Sequence, residues 1–206
     1  MSSRRLALGL AVVLVVSLAF HSTALGLIDL EWRPAAQTVL VGDTVNIGLY
    51  AVSDTGETDQ SISAMDVILA WDPGFLELTG NVDDGPYSWM VSAFPDDSGS
   101  DGLNDTWMDG DAFYMAYAQG GVPAWATPAG LLVTTMQFTA LAETPETLLS
   151  IPEQAGEYTE TVIYDGQIPG LDVHGLLGTA SVTIVPEPTG LVLLALGGAS
   201  VWIRRR

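Results

Sequence analysis

Apolar residues in the central part of the chain recur at every second position. Ile28, Leu30 and Trp32 alternate with charged neighbours, and the segments 45–51 and 65–71 show the same spacing. A period of two is typical of strands that bury one face, because successive side chains point to opposite sides of a sheet. The pattern therefore predicts an all-β body.

Turn signals divide this body into about nine strands. They are expected near residues 28–33, 45–51, 65–71, 75–78, 87–94, 112–119, 131–141, 159–164 and 179–185. Segments 53–61, 95–111 and 120–130 are expected to be loops, and 142–149 carries a weak helical signal. Such a series predicts an antiparallel two-sheet sandwich. Tyr114 shares a strand face with three alanines, so an aromatic side chain is expected in the core.

The first 26 residues have the three parts of a secretory signal peptide. Arg4 and Arg5 precede an apolar run that ends at Phe20, and small residues follow it. Cleavage after Ala24 or after Gly26 is consistent with the small-residue pattern. An uncleaved signal anchor is the alternative, and in both cases the middle of the protein is exported.

The last 22 residues, 185–206, also look like a transport segment. Pro186, Glu187 and Pro188 precede the apolar run 191–203, which is shorter than the ~20 residues that span a bilayer core. The chain closes with the basic residues Arg204, Arg205 and Arg206, which favour the cytoplasmic side of a membrane. A recognition motif, a membrane segment and a basic cytoplasmic end thus follow one another.

This tail resembles the PEP-CTERM sorting signal of Gram-negative bacteria. The resemblance implies export by the general secretory machinery, a transient hold in the inner membrane, and cleavage near the tripeptide by an exosortase-type membrane protease. It also associates the chain with the cell surface or extracellular matrix, and with exopolysaccharide and biofilm. A permanent tail anchor and a buried C-terminal strand or helix are the alternatives.

The exported body is strongly acidic. Arg33 is its single basic residue other than histidine, against 24 of the 25 Asp and Glu residues, which leaves about 23 net negative charges. Nucleic acid is excluded as a partner, since phosphate binding needs a basic surface. Such a surface favours solubility and attracts divalent cations.

The composition argues against an enzyme. The chain has no cysteine and no lysine, and His174 is the single histidine outside the predicted signal peptide. Cysteine nucleophiles, Schiff-base lysines and multi-histidine zinc sites are therefore excluded. No Gly-x-Ser-x-Gly motif supplies a serine nucleophile. A secreted glycan hydrolase that uses two carboxylates is the alternative.

Calcium is the one cofactor that an acidic loop suggests. The candidate ligands are Asp97, Asp101, Asp105, Asp109 and Asp111, which lie among glycines. An EF-hand that starts at Asp97 fails, because Met108 stands where a bidentate glutamate belongs. A solvated acidic loop without metal is the simpler interpretation.

Aromatic residues in the middle third suggest a carbohydrate-binding strip as a further alternative. Trp89, Trp107 and Trp125 are the candidates, because sugar rings stack on exposed flat side chains. Burial in the core is the simpler explanation for most of these aromatics.

Two turn motifs carry a second resemblance. The segment 41–47 has Gly42-Asp43 before a strand, and 63–78 has Trp71-Asp72-Pro73 followed by a bulky residue and Leu-Glu. These segments resemble the opening of cohesin-like domains, which implies a jelly-roll sandwich related to carbohydrate-binding modules. They match no partner interface, and a generic immunoglobulin-like sandwich is the alternative. Together, the two resemblances predict that residues 27–184 form a non-enzymatic interaction module that binds polysaccharide or surface proteins.

Overall fold

The computed structural model describes residues 27–54, 59–95, 101–106, 108–167 and 170–187. These residues contain fifteen strands and no helix. The strands are β1 (Ile28–Arg33), β2 (Ala36–Leu40), β3 (Thr44–Ser53), β4 (Gln60–Trp71), β5 (Leu76–Val82), β6 (Val91–Ala93), β7 (Asp111–Tyr117), β8 (Ala124–Ala126), β9 (Leu131–Ala140), β10 (Thr144–Ser150), β11 (Gln154–Ala155), β12 (Thr159–Glu160), β13 (Val162–Asp165), β14 (His174–Leu177) and β15 (Thr179–Val185).

Two sheets pack face to face as a sandwich. The five-stranded sheet has the order β14-β1-β3-β9-β5. The eight-stranded sheet has the order β2-β15-β10-β4-β7-β6, and β8 and β13 also pair with β4. A separate two-stranded ladder joins β11 and β12.

Alternating positions of the two sheets fill the core, as the sequence pattern predicts. Leu30 and Leu49 from one sheet and Val67 and Leu69 from the other are fully buried. Tyr114 is also fully buried, which confirms the expected core aromatic. Burial of this many aliphatic side chains is the main stabilising contribution in a chain without disulfides.

A turn at Asp72-Pro73-Gly74 ends β4, and Gly74 makes it without the positive φ that a glycine in a turn often supplies. The Asp72 carboxylate accepts a hydrogen bond from the Gly74 amide at 2.8 Å, and its carbonyl accepts from Phe75 and Leu76. The carboxylate therefore fixes the turn that carries the chain from β4 in one sheet to β5 in the other.

Several details of the predicted topology are wrong. Two strand pairs are parallel, β1 with β14 and β2 with β15, so the sandwich is not purely antiparallel. The predicted helix over 142–149 is β10, because its residues pair with β15. Strand β2 was missed; it separates the first predicted strand from the Gly42-Asp43 turn and joins the other sheet.

Other predicted boundaries are also wrong. Segment 87–94 forms only the short β6, and segment 159–164 is divided between β12 and β13. The expected loops 53–61 and 120–130 contain the start of β4 and all of β8. These segments are short or polar, so periodicity alone did not identify their strands.

Within the ranges given above, no helix is long and apolar enough to cross a membrane. The predicted signal peptide and the predicted membrane segment 191–203 lie outside those ranges.

Candidate functional site

The outer face of the eight-stranded sheet carries a group of apolar and aromatic side chains around one carboxylate. Asp66 lies on β4 opposite Met115 of β7 on one side and Val162 of β13 on the other. One row away, Ala64 lies between Tyr117 and Tyr164. We call Ala64, Asp66, Met115, Tyr117, Val162 and Tyr164 the Asp66 face.

Asp66 is held in a partly buried position. Its Oδ1 atom is closed to solvent and has no hydrogen-bond partner within the described part of the chain. Burial raises the pKa of this carboxyl above its ordinary value. Burial and, secondarily, the charge of Asp66 raise the pKa values of Tyr117 and Tyr164. The arrangement therefore places a partly buried carboxyl group, with a raised pKa, beside an open cavity.

A cavity of about 280 Å³ opens beside this carboxylate. Asp66, Tyr158, Glu160 and Tyr164 are among its lining residues. Tyr158 is highly exposed, with 77% of its surface accessible. The cavity combines aromatic surface with negative charge, which suits a partner that presents a hydrogen-bond donor or a cation.

The loop before β7 supports one end of this sheet. Leu103 is 2% exposed and packs with Ile68 and Phe113 on the outer side of the sheet. The Asn104 side chain donates to the carbonyls of Pro95 and Phe113, both at 2.9 Å, and accepts from the Phe113 amide at 2.8 Å. The described part of the acidic loop is therefore a packed structural unit.

The acidic calcium candidates have different surroundings. The Asp101 carboxylate accepts from the amides of Tyr158 and Thr159 at 2.7 and 2.8 Å, and the first of these bonds contributes most to lowering its pKa. Burial, and then the charges of Asp109 and Asp105, raise the pKa of Asp111. Asp97 lies outside the described residues, and those described contain no group of three acidic or histidine side chains placed to hold a metal.

The tryptophan candidates do not share one environment. Trp89 is half-buried, donates from Nε1 to the Val133 carbonyl at 3.0 Å, and packs edge-on against Tyr87. Trp125 is 51% exposed on β8. Trp107 lies outside the described residues. Trp125 alone of the two described candidates therefore presents a largely open ring.

His174 begins β14 and makes an ionic hydrogen bond. Its Nδ1 atom lies 2.7 Å from Oδ2 of Asp172, and its Nε2 atom lies 3.9 Å from Oε1 of Glu153. The small cavity beside the ring is also lined by Thr161, whose hydroxyl donates to the Pro152 carbonyl and accepts from the Ile68 amide. Thr161 is thus held by backbone groups, and the described lining of this cavity offers no serine for a catalytic triad.

The predicted sorting motif begins directly after the last strand. β15 ends at Val185, and Pro186 and Glu187 follow as exposed residues outside regular structure. Pro188 and the predicted membrane stop, Arg204 to Arg206, lie outside the described residues, as do the cleavage candidates Ala24 and Gly26.

The sequence interpretation missed Asp66. It is one polar residue in an alternating strand, and such a residue is normally solvated. The available signal was the run Val67-Ile68-Leu69-Ala70-Trp71, which is apolar on both faces and predicts cover on the outer side of β4.

Comparisons with known proteins identify the fold. No family model matches the chain, and no curated protein matches it. A cohesin module from a Clostridium perfringens family 33 glycoside hydrolase aligns with a TM-score of 0.54 at 10% identity, covering 79% of this chain and 99% of that module. The sixth cohesin of Acetivibrio cellulolyticus scaffoldin B, solved in complex with a Cel5 dockerin, aligns with a TM-score of 0.51 at 14% identity, covering 77% and 99%.

A third solved structure gives the same result. The seventh ScaB type I cohesin from Pseudobacteroides cellulosolvens aligns with a TM-score of 0.50 at 11% identity, covering 78% of this chain and 94% of that one. At such identities the likeness concerns the fold alone. The body therefore has a cohesin-like β-sandwich fold, as its two turn motifs indicate.

Proposed function

We propose that this chain is an exported, non-enzymatic surface or matrix protein whose sandwich binds a protein partner through the Asp66 face. The observation that carries the proposal is the partly buried Asp66 carboxyl group, whose Oδ1 atom has no partner among the described residues, beside the aromatic side chains of an open sheet face. Carboxylates in such surroundings make strong, directional contacts with a partner's donors.

The fold supports a protein partner. One cohesin of similar fold is solved in complex with a dockerin, so a sandwich of this shape can present a protein-binding surface. Among the described residues, the lining of the cavity beside His174 includes no serine for a triad. An interaction module accounts for the Asp66 face without requiring a reaction.

The two chain ends support export and sorting. By the resemblance of the tail, Pro186, Glu187 and Pro188 form the recognition motif of an exosortase-type protease, and Arg204 to Arg206 keep the end in the cytoplasm until cleavage. Proline at two of the three positions disfavours regular structure and leaves the motif extended. The mature protein then consists of the acidic sandwich at the surface of a Gram-negative bacterium.

Photo-crosslinking tests the interaction surface. The protein is expressed in its host with a photo-crosslinking amino acid in place of Ala64 or Met115, and each variant should give a discrete adduct with one partner protein. The additional substitution Asp66→Ala should abolish that adduct. The control places the same amino acid at Thr79, an exposed position on the five-stranded sheet. Adducts of equal yield from Thr79, or none from the Asp66 face, would contradict the proposal.

Intact-mass analysis of protein isolated from its host tests sorting separately. The expected mass lacks the signal peptide and the residues that follow the cleavage site near Glu187. Glu187→Ala should retain the tail, whereas Glu143→Ala in the sandwich should be processed normally. A wild-type protein that keeps its C-terminal arginines would indicate a permanent tail anchor instead.

A further inference from the structure

A short hairpin, residues 154–160, forms one wall of the cavity beside Asp66. Its strands β11 and β12 make a two-stranded ladder that belongs to neither sheet of the sandwich. Tyr158, Thr159 and Glu160 of this hairpin line the cavity, whereas Asp66 lines it from β4. The shape of the cavity therefore depends on where the hairpin lies relative to the sheet.

The ladder alone does not fix the hairpin. It consists of two residue pairs, and even longer isolated two-stranded hairpins are only marginally stable in water. At the base, the Thr161 amide donates to the Glu153 carbonyl at 2.9 Å, and the Thr161 hydroxyl accepts from the Ile68 amide of β4 at 3.1 Å. Ala155 packs against the cluster that contains Leu103. These contacts hold the base and the first strand of the hairpin, but they do not reach its tip.

The tip is held by Asp101. The Oδ2 atom of this side chain accepts hydrogen bonds from the amides of Tyr158 and Thr159, at 2.7 and 2.8 Å. The bond from Tyr158 is also the largest cause of the lowered pKa of the Asp101 carboxyl, so the ionised carboxylate is the form that binds the tip. One side chain of the acidic loop thus bonds to two consecutive amides of the hairpin.

The backbone on both sides of this contact is adapted to it. Asp101 has a φ of 53°, in the left-handed region that few residues other than glycine adopt. Gly156 has a φ of 65°, and a Cβ atom at this position would overlap the Cβ and Cγ atoms of Asp101. Sparsely populated conformations persist where the surrounding structure enforces them, and they cluster at binding sites. The acidic loop therefore approaches the tip too closely for any residue but glycine at position 156.

This contact decides where two side chains of the cavity lie. Tyr158 is 77% exposed and Glu160 is also exposed, so packing does little to orient either side chain. Their positions follow from the backbone of the hairpin, and Asp101 bonds to that backbone. Asp101 is outside the described lining of the cavity, so it acts on the cavity through the hairpin.

We propose that Asp101 is a positioning residue of the Asp66 face, which holds the hairpin so that Tyr158 and Glu160 contact the bound protein. The inference rests on the proposed binding function of that face. It extends the interaction surface from the sheet to the hairpin, and it gives one carboxylate of the acidic loop a role other than calcium binding.

Amide hydrogen exchange, resolved to single residues, tests the contact itself. Asp101→Gly removes the carboxylate but permits the left-handed backbone, so protection of the Tyr158 and Thr159 amides should fall about threefold or more. Asp101→Asn keeps one acceptor oxygen and should lose less protection. Gly156→Ala keeps the carboxylate but overlaps it, and should also lose protection. Glu157→Gln is the matched control, because it removes a charge from the exposed tip and leaves the acceptor in place.

Photo-crosslinking in the host tests the role of the contact in binding. A photo-crosslinking amino acid in place of Tyr158 keeps the amide that Asp101 binds, and it should give the same adduct as one in place of Ala64. Asp101→Gly should lower the yield from both positions about threefold or more, and Asp101→Asn should restore part of it. Glu143→Gln, at an exposed position before β10, should not change the yield. Unchanged protection of the Phe138 amide in β9 shows that the sandwich stays folded in each variant.

The possible failures can be told apart. The inference is overturned if the Tyr158 and Thr159 amides of Asp101→Gly are protected as in the wild type, or if their protection is lost while both adducts form in normal yield. It is also overturned if Ala64 gives the adduct and Tyr158 does not. In these cases the proposed binding function stands, because the Asp66 face still gives its adduct. A wild type without any adduct would overturn the proposed function, and the inference with it.

Discussion

At the residue scale, single polar side chains organise the loops that surround the sandwich. Asn104 shows this most clearly. Its side-chain amide donates to the backbone carbonyls of Pro95 and Phe113 and accepts from the backbone N–H of Phe113. Its φ of 65° lies in the left-handed region, which asparagine tolerates better than most residues. One side chain thus joins the acidic loop to β7.

Replacement of this side chain should be costly. Asn104→Ala leaves the backbone groups of Pro95 and Phe113 without these partners, so we expect a loss of about 2 to 3 kcal/mol in the free energy of unfolding. Urea denaturation measures the loss. Asn46→Ala is the matched control, because Asn46 is an exposed residue and, among the described residues, its side chain accepts a single side-chain hydrogen bond, from Gln137, and it should cost far less. Equal losses in both variants would assign no special role to Asn104.

Asp66 predicts an unusual pH dependence. Because burial raises its folded pKa above the ordinary value of 3.8, the folded state holds this proton more tightly than the unfolded state. The contribution of Asp66 is therefore favourable at acid pH and is lost as pH rises through the folded pKa. Asp66→Asn should raise the melting temperature at pH 7, and the gain should disappear below about pH 3.

The same substitution tests the link between stability and binding. If the partly buried carboxylate binds a partner at the expense of stability, Asp66→Asn should lower the yield of the crosslinked adduct from the Asp66 face while it stabilises the fold. Thermal melts across the pH range, compared with Asp59→Asn at an exposed position, measure the first effect. A variant less stable than the wild type at pH 7 would refute the argument.

At the element scale, the sequence predicted the strands that have an apolar face. β1 alternates in sequence and in burial throughout, and β3, β4 and β7 do so over part of their length, so local chemistry specifies their inner sides. β2 and β10 lack a regular alternation of apolar and polar residues, and their strand character comes from pairing with β15, which is distant in sequence from β2. Parallel pairing and register depend on such long-range contacts, which periodicity does not encode.

The same distinction explains the candidate sites. The acidic loop and the predicted sorting motif are each contiguous in sequence, so a sequence pattern can suggest them. The Asp66 face combines residues of β4, β7 and β13, which are far apart along the chain. Only the folded sheet brings these groups together.

Calcium binding by the acidic loop remains a prediction at this scale. The charges of Asp109 and Asp105 act on Asp111, whose Oδ1 atom is buried without a partner in the described region. A divalent cation would relieve this repulsion, so about 1 mM calcium should raise the melting temperature by a few degrees over chelator. Asp111→Asn should reduce the increment. An identical melt with calcium and with chelator would refute the prediction.

At the scale of the whole molecule, charge is the dominant property. Arg33 is the sole lysine or arginine of the body, and it is held by the Glu31 carboxylate at 2.8 Å, the Ala129 carbonyl at 2.6 Å and the ring of Tyr50 at 4.5 Å. The remaining acidic residues repel one another across the surface. Such a surface disfavours association between copies of the protein.

Screening should therefore stabilise the fold. We expect the melting temperature to rise by several degrees between about 0.01 M and 1 M NaCl, as the Debye length falls from about 30 to 3 Å. KCl should raise the melting temperature as much as NaCl does, because screening is nonspecific. Calcium bound at a specific site should instead raise it at millimolar concentration. A melting temperature that is constant or falls with salt would show that self-repulsion is negligible.

The junction between β15 and the tail bears on the proposed cleavage near Glu187. β15 remains paired with β2 as far as Val185, and Glu187 is two residues further on, about 7 Å of extended chain. A protease that cuts at Glu187 must therefore act close to the edge of the folded sandwich, or before β15 has paired with β2. If the proposed cleavage occurs, a short Gly-Ser spacer inserted after Val185 would move the site away from the folded domain, and faster cleavage of this variant would show that the folded domain limits access of the protease.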